Sequence, residues 1–160
     1  MTEWFMNKGN INFKVMDIIR GTTVDGPGFR TAIYFAGCTH ECPGCHNPQS
    51  WDEANGYPLS LSEILDIVKE EDFDVTLTGG DPLFNPSHTA VLAKEIKSLG
   101  YNIWLYTGYL YEDILKSPSL SLPLPFIDTI VDGPYIKELK DNDLLFRGSS
   151  NQRIINLAKV

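Results

Sequence analysis

The sequence predicts an α/β fold built on a parallel sheet, and three observations predict it. Short β-rich runs alternate with helical patterns. The unusual residue strings each follow the end of one of those runs. The chain has 160 residues, enough for one domain with its own core. The first strand candidate is Phe13–Ile19. Arg30–Ala36, Phe73–Leu77, Asn102–Tyr106 and Phe126–Val131 follow, all apolar or alternating runs rich in Ile, Val, Tyr, Trp and Phe. Ser60 and Glu63 form a capping box that opens a helix over Leu61–Glu70, with Ile64, Leu65, Ile67 and Val68 on one face. Asn85-Pro86 supplies a cap and a first-turn proline for a helix running to Leu99, stopped by Gly100. Tyr111–Lys116 is a shorter helix that ends before Pro118. Strands alternating with helices imply βα units, and no repeat or linker divides the chain, so residues 1–160 read as one domain.

The formal net charge is −8, which argues against a general binder of nucleic-acid phosphates. The longest apolar run, around Ala32 to Ala36, falls far short of the roughly 18 residues that span a bilayer. Met1 to Asn12 mixes charged and amide residues with apolar ones and has no signal-peptide core. The expected setting is therefore the cytoplasm, with neither nucleic acid nor membrane as a partner.

That compartment is reducing, which gives the cysteines their meaning. The three cysteines, Cys38, Cys42 and Cys45, sit within eight residues as C-x3-C-x2-C. Thiolates this close suit a soft metal centre better than a disulfide. Gly37 allows a tight exit from the preceding strand, and Pro43 with Gly44 bends the chain so that the sulfurs can face one centre. Three ligands of a [4Fe–4S] cluster would leave one iron open to a substrate. The competing reading is a closed zinc site, with His40 or His46 as the fourth ligand beside the three thiolates. A thiol role without metal is the third.

The strand ends supply the second clue. Gly37-Cys38 follows the strand at Arg30. Thr78-Gly79-Gly80-Asp81-Pro82 follows the next, Thr107-Gly108-Tyr109 the third, and Asp132-Gly133-Pro134 the fourth. In parallel α/β folds the carboxyl edge of the sheet is where loops converge on a ligand, so these four loops are expected to share one mouth. Gly79 and Gly80 let a ligand approach the backbone closely, and Asp81 can accept hydrogen bonds from an ammonium group. Turns use the same residues, so this segment gains its meaning only beside the cysteine loop.

Together, Cys38-x3-Cys42-x2-Cys45 and Gly79-Gly80-Asp81-Pro82 resemble the radical S-adenosylmethionine (SAM) superfamily. Longer strings narrow the resemblance: Asp25-Gly26-Pro27-Gly28-Phe29-Arg30, Gly37 through Asn47, Ser50-Trp51, Leu77 through Leu83, Trp104 through Tyr109, Val131-Asp132-Gly133 and Arg147 through Arg153. These resemble the activating proteins of anaerobic (class III) ribonucleoside-triphosphate reductases, over roughly Asp17 to Arg153. The resemblance implies a small, incomplete (open) βα barrel of mostly parallel strands. It implies a [4Fe–4S] cluster on Cys38, Cys42 and Cys45, and SAM contacts from Gly44, Cys45, His46, Thr78, Gly79, Gly80 and Asp81, the last holding the methionyl ammonium. Many superfamily members carry an aromatic residue before the third cysteine to pack the adenine. Here that position is Gly44, as in the reductase-activating subgroup, so adenine packing is expected from His46 or Tyr109.

The implied activity is reductive cleavage of SAM to a 5′-deoxyadenosyl radical, which makes a glycyl radical on the reductase under anaerobic conditions. No catalytic side chain beyond the cluster and SAM is expected. The chain has no motif for a flavin or second cluster, so an external donor, reduced flavodoxin by analogy, is implied. The alternatives are an activase of a formate-lyase type enzyme, another small radical SAM enzyme, and a zinc-stabilised binding module. Arg30 and Arg147 read first as structural, then as anion contacts. Trp51 and Trp104 read as core or interface aromatics, and Asp66 to Asp74 as a solvated acidic face.

Overall fold

The computed structural model describes residues 11–40, 42–45 and 48–157. Its strands are β1 (Asn12–Thr22), β2 (Arg30–Phe35), β3 (Tyr57–Ser60), β4 (Asp74–Gly79), β5 (Ile103–Tyr106), β6 (Thr129–Asp132) and β7 (Arg153–Asn156). The helices are α1 (Leu61–Glu71), α2 (Pro86–Ser98) and α3 (Tyr111–Lys116). The strands form one open sheet in the order β3-β1-β2-β4-β5-β6-β7. β2, β4, β5 and β6 run parallel, as alternation with helices predicts. The flanking pairs β1–β2, β1–β3 and β6–β7 are antiparallel. The expected mostly parallel sheet is therefore a mixed one. Only residues 23–29 join β1 to β2, too few for the crossover that a parallel pair requires.

The core lies on one face of this sheet. Ile33, Val75, Leu77, Ile103 and Ile130 are fully buried against Ile64 and Val68 of α1, Leu92 and Ile96 of α2 and Ile114 of α3. Strand alternation turns Arg30, Tyr34, Thr76, Thr78, Trp104 and Tyr106 to the other face. The Ser60–Glu63 capping box forms in full, with Glu63 N–H donating to Ser60 Oγ at 3.1 Å. Gly100, at φ +95°, ends α2. Asn85 stands at the N-cap of α2 but makes no side-chain cap bond; its backbone carbonyl accepts from Thr89 instead. The strand expected from Phe126 begins at Thr129, because Leu124–Phe126 forms a 3-10 turn around Pro125.

Arg30 fixes the amino end of the second face. It is 1% exposed, and its Nε donates to Thr76 Oγ1 at 2.8 Å. Nη2 donates to the Val75 carbonyl and to Asn102 Oδ1, and Nη1 to the Pro27 carbonyl. Thr76 Oγ1 donates in turn to the Asp25 carbonyl, and Tyr34 Oη to Asp25 Oδ2. Residues 25–30 thus fold over that end of the sheet and close it. Arg30 is structural, as its first reading had it. No helix among the described residues is long and apolar enough to cross a membrane.

Candidate functional site

The cysteine loop leaves β2 at Gly37, whose φ of +112° and contact with the Phe84 ring leave no room for a side chain. Two backbone bonds pin the loop at its base: Gly37 N–H to the Ser50 carbonyl at 2.6 Å, and Cys38 N–H to the Trp51 carbonyl at 3.2 Å. Cys45 N–H donates to the Cys42 carbonyl at 3.0 Å across Pro43-Gly44, with Gly44 at φ +76°. Proline then positive-φ glycine is a type II turn, and it sets the spacing of the last two thiols. None of the three cysteines is in a disulfide.

The other three loops meet the cysteines in one cleft of about 200 Å³. Cys38, Cys42 and Cys45 line it together with Thr78, Gly79 and Gly80 from the end of β4. Tyr106, Thr107 and Gly108 come from the end of β5, and Val131, Gly133 and Tyr135 from the end of β6. The shared mouth expected from the strand ends is therefore present. Gly79, at φ +110°, lies against the Phe35 backbone, where an added Cβ would collide. Gly80 lies against the Gly37 carbonyl, which an added Cβ would approach to 2.5 Å. The β4 exit is thus bare backbone on the cleft side and packed backbone behind.

Burial pushes the Cys38 thiol up to about 11; a hydrogen bond from the His40 backbone N–H opposes this, and the nearby Asp81 charge adds to it. A soft metal centre reverses that preference, because a coordinating thiol is deprotonated. The donor set and the shared cleft fit an iron–sulfur cluster. Among the described residues, no three His, Cys, Asp or Glu side chains converge tightly enough to hold a single metal ion.

Asp81 does not stand on the cleft wall. It is 2% exposed, and both oxygens serve the protein. Oδ1 accepts the Leu83 N–H at 2.9 Å, capping a 3-10 turn over Pro82–Phe84. Oδ2 accepts from His40 Nε2 at 2.6 Å, Thr107 Oγ1 at 2.9 Å and Gly108 N–H at 3.0 Å. His40, considered above as a zinc ligand, spends Nε2 on this bond and sets its ring edge-on to Tyr109 at 4.6 Å. Tyr109 is thereby turned toward His40 and the core and does not line the cleft. His46, the other residue expected at the adenine, lies outside the described residues.

Residues 147–153 fold back onto the β6 exit. Gln152 Oε1 accepts the Gly148 and Ser149 N–H groups, and Gln152 Nε2 donates to the Gly133 carbonyl at 3.1 Å. Arg147 Nη1 donates to the Gln152 carbonyl, and Gly148 and Gln152 both reach the cleft. Sequence reasoning singles out this stretch and gives a reading only to Arg147, structural first and an anion contact second. It passes over Tyr135, although Asp132-Gly133-Pro134 stands directly before it.

Residues 24–155 match the family model of the 4Fe-4S single cluster domain. The anaerobic ribonucleoside-triphosphate reductase-activating protein of Escherichia coli (strain K12) is 33% identical over 145 residues, which cover 84% of this chain and 92% of that protein. The protein of the same name from Enterobacteria phage T4 is 37% identical over 139 residues, covering 82% and 86%. Among solved structures, QueE from Escherichia coli matches with a TM-score of 0.56 at 15% identity, a likeness of fold alone. That match covers 67% of this chain and 57% of the other. With most of both sequences aligned to the curated relatives, the chain belongs to the family of anaerobic ribonucleoside-triphosphate reductase-activating proteins.

Proposed function

We infer that this chain activates an anaerobic ribonucleoside-triphosphate reductase in the cytoplasm, by generating a glycyl radical on it under anaerobic conditions. Cys38, Cys42 and Cys45 hold one [4Fe–4S] cluster, and the whole of residues 1–160 acts as a single radical SAM domain with an incomplete barrel. Held there, the cluster would supply a one-electron reduction of SAM, breaking its S–C5′ bond with release of methionine and so providing the hydrogen-atom abstraction from the reductase glycine. The observation that carries this reading is the cleft in which all three thiols meet the glycine-bearing ends of β4, β5 and β6.

This chain's own residues bind and orient. The type II turn at Pro43-Gly44 presents Cys42 and Cys45 together, and Gly44 packs against the Lys137 side chain, which an added Cβ would approach to 3.0 Å. Thr78, Gly79 and Gly80 offer backbone to the methionyl end of SAM, and His46 lies one residue from the third thiol. The sequence holds no cysteine beyond these three, so the electron comes from an external donor, reduced flavodoxin.

Anaerobic purification tests this. The expected product is a brown protein with about four irons per chain that cleaves SAM when reduced. Mixed with the reductase, it gives a glycyl electron-resonance signal. A colourless protein with one tightly held zinc would sink the reading. An intact, reducible cluster that gives no glycyl signal would move it to another radical SAM enzyme.

A further inference from the structure

We propose that His40 and Asp81 form a latch that holds the cysteine loop in register with the sheet, which makes His40 a positioning residue for the cluster and turns Asp81 to the protein instead of to SAM. The proposal rests on the cluster reading above and deepens it. Four observations carry it. The His40 Nε2–Asp81 Oδ2 distance is 2.6 Å, short for a nitrogen donor, and Asp81 is 2% exposed, so the bond lies where water competes little. The same Oδ2 is reached by Thr107 and Gly108 from the end of β5. The Asp81 N–H donates to the Gly37 carbonyl at 2.8 Å, one residue before the first thiol. Gly108 lies so close that a Cβ there would meet the His40 ring at 2.7 Å.

One buried carboxylate therefore joins three separate loops. The cysteine loop is bound to it through the His40 side chain, and the Gly37 carbonyl accepts from the backbone N–H of Asp81 itself. The β5 loop is bound through Thr107 and Gly108. The β4 exit is bound through the Asp81 cap on Pro82–Phe84. His40 lies between the first and second thiols in sequence, so fixing its ring anchors the chain two residues after Cys38. The resemblance assigns the SAM ammonium to Asp81, but Oδ2 already accepts three donors from the protein, Oδ1 accepts the Leu83 N–H, and the residue is 2% exposed. Residues that orient metal ligands from behind act in this way.

The test compares His40→Ala, His40→Gln, Asp81→Ala, Asp81→Asn and the His40→Ala/Asp81→Ala pair with the wild-type chain, all loaded with iron and sulfide anaerobically. The readouts are iron content, the half-life of cluster absorbance under a chelator, and SAM affinity of the loaded protein by equilibrium binding. The expected result is a cluster half-life shortened at least about tenfold by either alanine, the cost typical of losing such an outer partner. The double variant should be no worse than the poorer single one, because both changes break the same bond. His40→Gln, whose amide N–H can still donate to Asp81, should recover most of the half-life. SAM affinity should be the same in His40→Gln as in wild type.

Three outcomes would overturn the latch. One is a wild-type half-life in His40→Ala. Another is equal loss in His40→Ala and His40→Gln, which would assign the effect to ring packing on Tyr109. The third is Asp81→Asn weakening SAM binding tenfold or more at unchanged half-life, which would make Asp81 a SAM contact. A wild-type chain that takes up zinc and no iron–sulfur cluster would instead remove the reading on which the latch stands.

Discussion

Each end of the sheet is organised around a buried charged side chain, Arg30 at one and Asp81 at the other, and the two are used differently. At the amino end Arg30 donates to Thr76, Val75, Asn102 and Pro27, and the loop of residues 25–30 lies over the result. At the carboxyl end Asp81 accepts from His40, Thr107, Gly108 and Leu83, but the thiols and glycines around it stay open to a cleft. A buried charge must be satisfied wherever it stands. At the amino end that requirement completes a plug. At the carboxyl end it joins loops whose thiols and glycines line a cleft. The same energetic rule thus yields a stabilising end and a reactive end.

If the ends are divided in this way, substitutions should separate stability from cluster binding. The largest effect is expected from Cys38→Ala. It should abolish SAM cleavage and leave the iron content far below about four per chain. The metal-free chain should melt within about 2 °C of the wild type, since a half-buried thiol is replaced by a small apolar group. Retained cleavage would break the ligand assignment. Arg30→Met is the converse. It strips donors from Thr76 Oγ1, the Val75 carbonyl and Asn102, and should cost about 3 kcal/mol, or roughly 6–12 °C in thermal midpoint. Iron content per folded molecule should stay at the wild-type value. A loss of iron with unchanged stability would show that the two ends are not separate.

Ile33→Val probes the layer beneath both ends. Ile33 is fully buried on β2 between the two loops. Removing one methylene there should cost about 1 kcal/mol by chemical denaturation, with no change in iron content or SAM affinity. A change in cluster binding from this site would mean that the core transmits strain to the cysteine loop.

The central elements were legible because each carries its own local signal. The capping box at Ser60 and Glu63, the stop at Gly100 and the apolar strands Arg30–Ala36 and Asn102–Tyr106 need no distant partner to be read. β3 and β7 were not legible. Each has four residues, β3 contains Pro58, and both take their definition from pairing with β1 or β6 at the sheet edges. The site divides along the same line. The thiols and Gly79-Gly80 announce a bound group through residue type and spacing. The latch does not, because His40, Asp81 and Thr107 are brought together only when β2, β4 and β5 align. Asp81 reads as a ligand contact because its type suits an ammonium, and type alone does not reveal the four protein donors that its carboxylate accepts.

The smallest effect is expected from the exposed charges that flank the reactive end. Arg153 on β7 pairs with Asp132 Oδ2 at 2.5 Å, which is fully buried, and with Glu112 Oε1 at 2.7 Å, which is exposed. The hydrogen bond from Arg153 holds the Glu112 carboxyl down at about 2, below its ordinary 4.5. A carboxyl depressed on folding adds stability that is fully present above its unfolded value and is lost as pH falls through its folded one. Any gain from this pair is therefore present at neutral pH, declines below about 4.5 and is gone below about 2. Because both partners face water, screening keeps it small. Glu112→Gln should lower the thermal midpoint slightly at pH 7 and low salt, and the difference from wild type should shrink both on acidification through that window and in 1 M salt. A large drop that persists in high salt would mean that Glu112 helps to bury Asp132, and the carboxyl end would then owe part of its stability to its rim.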